Sequence, residues 1–319
     1  MDFAKIKSFL QSCDNVTILT HKGPDGDTLG AGFALCYYLR SIGKKANVIN
    51  AEEFPERYDF LYEGYYIQDF EEKTVIAVDI ADTQLIGSRL SEYCEDGRID
   101  LCIDHHLSNK YFAKYTYVNA SASAACLIIY ELFKYMNVTI DRQIARCLYT
   151  GIATDTGCFK FENTTPAAHI ACAELMKYNI DFAIINRKMF DVKSRARIEV
   201  EQTVTNNMEY YFDDRCAIIT ITTNLMNESG MSPSEFEGLA SVPLQVEGVE
   251  IGITIKQRHE AVFKLSVRTT ENIDASKFCN KFGGGGHIRA AGCEIKGTLE
   301  EVKRLVISEV ENIYKDTKK

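Results

Sequence analysis

Short apolar runs alternate with longer segments of helical spacing over the first 180 residues. Residues 15–20, 45–50, 74–78 and 99–103 are β-rich, and Thr74-Val75-Ile76-Ala77-Val78 is apolar almost throughout. A parallel strand covered on both faces has this character. Residues 28–41, 122–135, 141–154 and 166–178 carry apolar positions at helical spacing, and Asp141 stands where an N-cap belongs. This alternation predicts an α/β domain over residues 1–185, a parallel sheet with helices on both faces. Residues 185–207 are charged and contain neither Gly nor Pro, which predicts a connecting helix, assigned to 186–207. The pattern then changes. Residues 217–222, 249–256 and 262–269 read as strands, and 232–239, 275–281 and 299–314 as helices. They predict a smaller α+β domain over 208–319.

Length agrees with two domains, since 319 residues exceed what one core usually holds. No apolar run reaches about 18 residues, so no spanning helix and no membrane partner are expected, and the N-terminus lacks the layout of a signal peptide. The 11 cysteines are scattered without a Cys-x-x-Cys pair. They read as buried thiols of a cytoplasmic protein. The formal charge of -9 argues against a grip on long nucleic acid, which needs a basic face. Any nucleic-acid substrate is expected to be short.

Chemistry concentrates at the ends of the predicted strands. His21-Lys22-Gly23-Pro24-Asp25-Gly26-Asp27 follows the first, Asp79 the third and Asp104-His105-His106 the fourth, and Asp155 closes the helix over 141–154. Each has an ordinary reading: Pro-Asp-Gly is a turn signal, and a lone Asp caps helices. Together they occupy the place where an open parallel sheet binds ligands. Imidazole with carboxylate is a ligand set for divalent transition metals, manganese and zinc included. So many carboxylates near one point repel unless cations offset them. Their number suits two ions, the arrangement used for in-line displacement at phosphorus. His169 and His259 lie outside this pattern and read as ordinary surface or core residues. A second feature is Gly283-Gly284-Gly285-Gly286-His287, with Arg289 beside it and Arg268 on the preceding strand. It matches neither a P-loop nor a dinucleotide fingerprint. The run predicts close backbone approach and anion binding.

With these motifs in order, the chain resembles the DHH-family phosphoesterases that carry a DHH-associated C-terminal domain, and within them the branch of short-RNA nucleases that are also phosphatases. The resemblance implies that His21, Asp25 and Asp79 hold one manganese ion and that Asp27, Asp79, His105 and Asp155 hold a second, Asp79 bridging. Asp104 would orient an imidazole and His106 would face the scissile phosphate. Arg268, Gly284, Gly285, Gly286 and His287 would hold the substrate's other phosphate or its terminal nucleotide. The implied reaction is attack of a bound hydroxide on phosphorus. The implied substrates are very short RNA, linear dinucleotides and bisphosphonucleotides such as 3'-phosphoadenosine 5'-phosphate. A homodimer is the assembly to test. Competing readings are a RecJ-type exonuclease on single-stranded DNA, an inorganic pyrophosphatase and a non-catalytic nucleotide-binding regulator.

Overall fold

The computed structural model describes residues 1–270 and 272–316; residues 317–319 of the expected C-terminal domain lie outside the described residues. The chain divides into two compact units, Met1–Val192 and Lys193–Lys319.

The first unit is a five-stranded parallel sheet in the order β2-β1-β3-β4-β5. Its strands are β1 (Val16–Leu19), β2 (Ala46–Ile49), β3 (Thr74–Val78), β4 (Leu101–Asp104) and β5 (Tyr115–Val118). Its helices are α1 (Phe3–Ser12), α2 (Gly26–Ser41), α3 (Ala125–Met136), α4 (Arg142–Asp155), α5 (Pro166–Met176) and the short α6 (Phe182–Asn186). Alternate strand residues point to opposite faces. Val16, Ile18, Ile76, Val78, Leu101 and Ile103 meet the α-helices in one large core. Leu19, Val75, Ala77 and Cys102 meet Ile86, which follows the 3-10 segment Thr83–Leu85, and Tyr93 of the 3-10 segment Ser88–Cys94. The second face is thus covered by short helical turns. β5 was not apparent from pattern because Tyr115-Thr116-Tyr117-Val118 is a half-exposed edge strand with no apolar run.

The helix expected over 186–207 is not continuous. α6 ends at Asn186, a single π-helical turn spans Arg187–Asp191, and Val192 is extended. The Ser194 hydroxyl then accepts the Arg197 amide and starts a new helix, α7 (Arg195–Asn206). A hydroxyl cap at this point explains the break.

The second unit holds a six-stranded mixed sheet in the order β10-β11-β9-β8-β7-β6. These strands are β6 (Glu209–Tyr211), β7 (Cys216–Ile221), β8 (Ile251–His259), β9 (Val262–Thr269), β10 (Gly285–Gly286) and β11 (Ala290–Lys296). The helices are α8 (Thr223–Glu228), α9 (Pro233–Glu237), α10 (Ala275–Asn280) and α11 (Leu299–Asp316). One sheet face packs Ile253, Leu265 and Val267 against Phe278 of α10 and Val302, Val306 and Val310 of α11. On the other, Ala217, Ile219 and Ile221 pack against Val200 and Val204 of α7.

Candidate metal centre

All eight residues of the first cluster come together at the C-terminal ends of the parallel strands. β1 leads into His21, and Asp25 and Asp27 follow at the start of α2. β3 leads into Asp79. β4 ends on Asp104, with His105 and His106 next, and α4 ends on Asp155.

Asp79 lies at the middle of the group. Its φ of 57° is left-handed, a conformation that Asp tolerates better than most residues. Its amide donates to the Ile103 carbonyl at 2.9 Å, fixing the turn. The carboxylate then faces two imidazoles at once: Oδ2 is 3.5 Å from His21 Nε2, and Oδ1 is 3.4 Å from His105 Nε2. Asp79 Oδ1 is buried without a hydrogen-bond donor.

The remaining groups are held by their own elements. The Lys22 carbonyl lies 2.9 Å from His21 Nδ1 and the Ala122 carbonyl 3.3 Å from His105 Nδ1. A carbonyl only accepts, so Nδ1–H is the donor in each ring and Nε2 is left as the ligand atom. Asp25 Oδ1 caps α2 by accepting from the Asp27 and Thr28 amides at 3.0 Å each, and lies 3.6 Å from His21 Nε2. Asp27 caps a helix 98 residues away: its oxygens accept the Ala125 amide at 2.6 Å and the Cys126 amide at 2.8 Å. Ala124, at the N-cap of α3, has no side chain for that task. Asp27 Oδ2 and Asp155 Oδ2 lie 3.9 and 3.6 Å from His105 Nε2. Asn163, absent from the sequence reading, donates to the Asp155 carbonyl at 3.1 Å and to the Ser123 carbonyl at 3.1 Å, pinning the end of α4. Nothing in the sequence separates this Asn from an ordinary turn residue.

The carboxylates and imidazoles of the cluster shift one another strongly. Burial opposes a proton on His21, yet the Asp25 and Asp79 carboxylates outweigh it and lift the imidazole to about 11. Burial likewise works against His105, and Asp79, Asp27 and Asp155 overcome it to lift that ring to about 10. Burial and the charges of Asp79 and Asp155 push Asp27 well above the usual carboxylate range. Burial raises Asp155 to about 7; His105 opposes the rise, and Asp79 and Asp25 add to it. Burial also works against charge on Asp79, but His105 and His21 hold it below its ordinary value. Carboxylates packed this closely around two imidazoles make a place that a divalent cation would offset.

Three sets place their ligand atoms within 4.8 Å of one another: His21, Asp25 and Asp79; Asp27, His105 and Asp155; and Asp79, His105 and His106. The donor set is nitrogen and carboxylate oxygen, Asp79 enters two of the sets, and its Oδ1 lacks a donor. These residues fit divalent metal ions.

In the second unit, Arg268 stands on β9 with Gly252 and Ala290 as its ladder neighbours. Burial depresses its pKa, and among the described residues it makes no ion pair. The glycine run is ordered. Gly285 and Gly286 form β10, paired with Gly292 and Ala291 of β11. A Cβ on Gly284 would collide with the Gly292 carbonyl and with Cys293. The close approach predicted from glycine content is therefore made to β11. The Gly284 amide donates to the Cys279 carbonyl at 3.0 Å and the His287 amide to the Ala290 carbonyl at 2.8 Å, so neither amide is open to an anion. The His287 side chain is exposed. Arg289 bonds the Thr270 and Ile273 carbonyls, which commits it to the backbone.

Comparison with known proteins agrees with this architecture. Residues 15–152 match the N-terminal domain of the DHH family and residues 214–316 match the DHHA1 domain. The Thermus thermophilus protein named bifunctional oligoribonuclease and PAP phosphatase NrnA is 31% identical over 88% of this chain and 84% of its own. A Bacillus subtilis protein of the same name is 23% identical over 95% and 96%. An exopolyphosphatase-related protein from Bacteroides fragilis shares the fold with a TM-score of 0.89 and 25% identity, covering 99% and 97% of the two chains. The chain belongs to the DHH family, with a DHHA1 domain following the DHH domain.

Proposed function

We propose that this protein is a manganese-dependent phosphodiesterase and phosphatase. It releases 5'-mononucleotides from very short RNA and linear dinucleotides, and removes the 3'-phosphate of bisphosphonucleotides such as 3'-phosphoadenosine 5'-phosphate. Phosphoester hydrolysis is supported by DHH membership and by relatives of that printed activity aligned along most of the chain. The observation that carries the metal-dependent reading is the Asp79 carboxylate, whose two oxygens face two different imidazoles.

His21, Asp25 and Asp79 would hold one ion, and Asp27, Asp79, His105 and Asp155 the other. When bound, such a pair acidifies water and neutralises charge developing at phosphorus. The side chains supply the rest. Asp104 lies 2.8 Å from His106 Nδ1, which fixes the ring and leaves Nε2 for the substrate. The same contact, with burial opposing it, raises the His106 pKa. When protonated, His106 stabilises charge on the phosphate oxygens and on the departing 3'-oxygen. Arg268 and the exposed His287, beside the glycine strand, are assigned to a second phosphate or the terminal nucleotide.

The test is turnover of a panel by the purified protein with manganese: diribonucleotide, longer RNA, single-stranded DNA, a 3',5'-bisphosphonucleotide and pyrophosphate. The expected result is release of mononucleotide from the diribonucleotide and of phosphate from the bisphosphonucleotide, abolished by chelation. Preference for long DNA or for pyrophosphate contradicts the proposal.

A further inference from the structure

The Asp104–His106 pair continues into a residue that sequence motifs do not single out. Asp104 is fully buried, and three donors meet its two oxygens. Oδ1 lies 2.8 Å from both the His105 amide nitrogen and His106 Nδ1. Oδ2 accepts from Asn109 Nδ2 at 2.7 Å. Asn109 is itself buried, and its side chain bonds at both ends. Its Oδ1 accepts the Tyr111 amide at 2.7 Å, which fixes the orientation of the side-chain amide. Nδ2 also donates to the carbonyl of Ile80, the residue after Asp79, at 3.2 Å. The Asn109 backbone amide donates to the His106 carbonyl at 3.1 Å. One side chain thus joins the turn that carries Asp79 to the carboxylate that orients His106.

We propose that Asn109 is a positioning residue for the reaction: by holding the Asp104 carboxylate it sets the orientation of the His106 ring. The proposal rests on the reading that His106 meets the reacting phosphate. A neutral amide is required at this place. It gives Asp104 a donor without adding charge, and leaves the second lone-pair region of the carboxylate to His106. Asn109→Asp keeps the shape and the acceptor for Tyr111 but sets carboxylate against carboxylate. Asn109→Ser shortens the side chain and withdraws the donor with less disturbance.

The experiment compares both variants with the wild type in three measurements on the full chain. Steady-state turnover of the diribonucleotide with manganese is expected to fall about 10–100-fold in kcat, with KM within twofold. Manganese binding is expected to be unchanged. In the metal-free protein carrying 15N-labelled histidine, the Nδ1–H signal of His106, identified by its absence in His106→Ala, is expected to shift or broaden in both variants. An unchanged signal in both variants overturns the proposal, as does kcat within twofold of wild type. Loss of activity in step with manganese binding or folded fraction also overturns it, since that marks a purely structural bond. The histidine signal needs no substrate, so absence of turnover in the wild type would refute the functional reading while the spectrum still decides the hydrogen bond.

Discussion

Asp79 and Arg268 are opposite kinds of residue. Asp79 is buried, left-handed and central, and its oxygens divide between two imidazoles. Arg268 is half-buried on an interior strand, flanked in the ladder by Gly252 and Ala290. Among the described residues its guanidinium has no ion-pair partner, which suits a phosphate that arrives with the substrate. Arg268→Ala is therefore expected to raise KM for a bisphosphonucleotide by about 10-fold, the order of a lost charge-assisted hydrogen bond, and to leave kcat within twofold. Michaelis–Menten kinetics on the bisphosphonucleotide check this, and an unchanged KM removes Arg268 from the substrate site.

At the scale of elements, the centre is built where helices start. Asp25 caps α2 and Asp27 caps α3, so two carboxylates of the cluster sit against positive helix ends, which favour their charge. The arrangement demands tight packing behind Asp27. A Cβ on Gly151 of α4 would lie 2.7 Å from Asp27 Oδ1 and collide with Cys126 Sγ. Gly151→Ala is expected to destabilise the first unit by about 1–3 kcal/mol, about 2–4 °C of thermal midpoint per kcal/mol at this size. Turnover should fall with it, because Asp27 must move. Unchanged melting and turnover would show that α4 yields without cost.

This dependence on packing explains what could be read in advance. The cluster was legible because its residue types are unusual and each stands at the end of a β-rich run or a predicted helix. Asn109 and Asn163 were not, since an Asn in a turn is common and only tertiary contact gives these two a task. The glycine run was legible as a site of close approach. Its neighbour, β11, was not, because Ala290, Ala291 and Gly292 carry no strand signal. The helix expected over 186–207 failed for a local reason: one hydroxyl at Ser194 starts a new helix inside a segment of even composition.

At the scale of the whole molecule, the chain carries 45 acidic and 36 basic side chains, and five of the acids, Asp25, Asp27, Asp79, Asp104 and Asp155, are gathered in the candidate metal centre. Among the described residues no helix is long and apolar enough to cross a membrane. An acidic protein that handles phosphate must place cations locally, since its overall field repels polyanions. In the proposed function those cations are metal ions in the DHH unit and Arg268 in the second unit. Crystals of the full chain grown with manganese test this most directly, by anomalous scattering at the manganese edge. The account predicts two peaks about 3.5–4 Å apart, both within bonding distance of the Asp79 carboxylate. A single peak, or two that share no ligand, would contradict it.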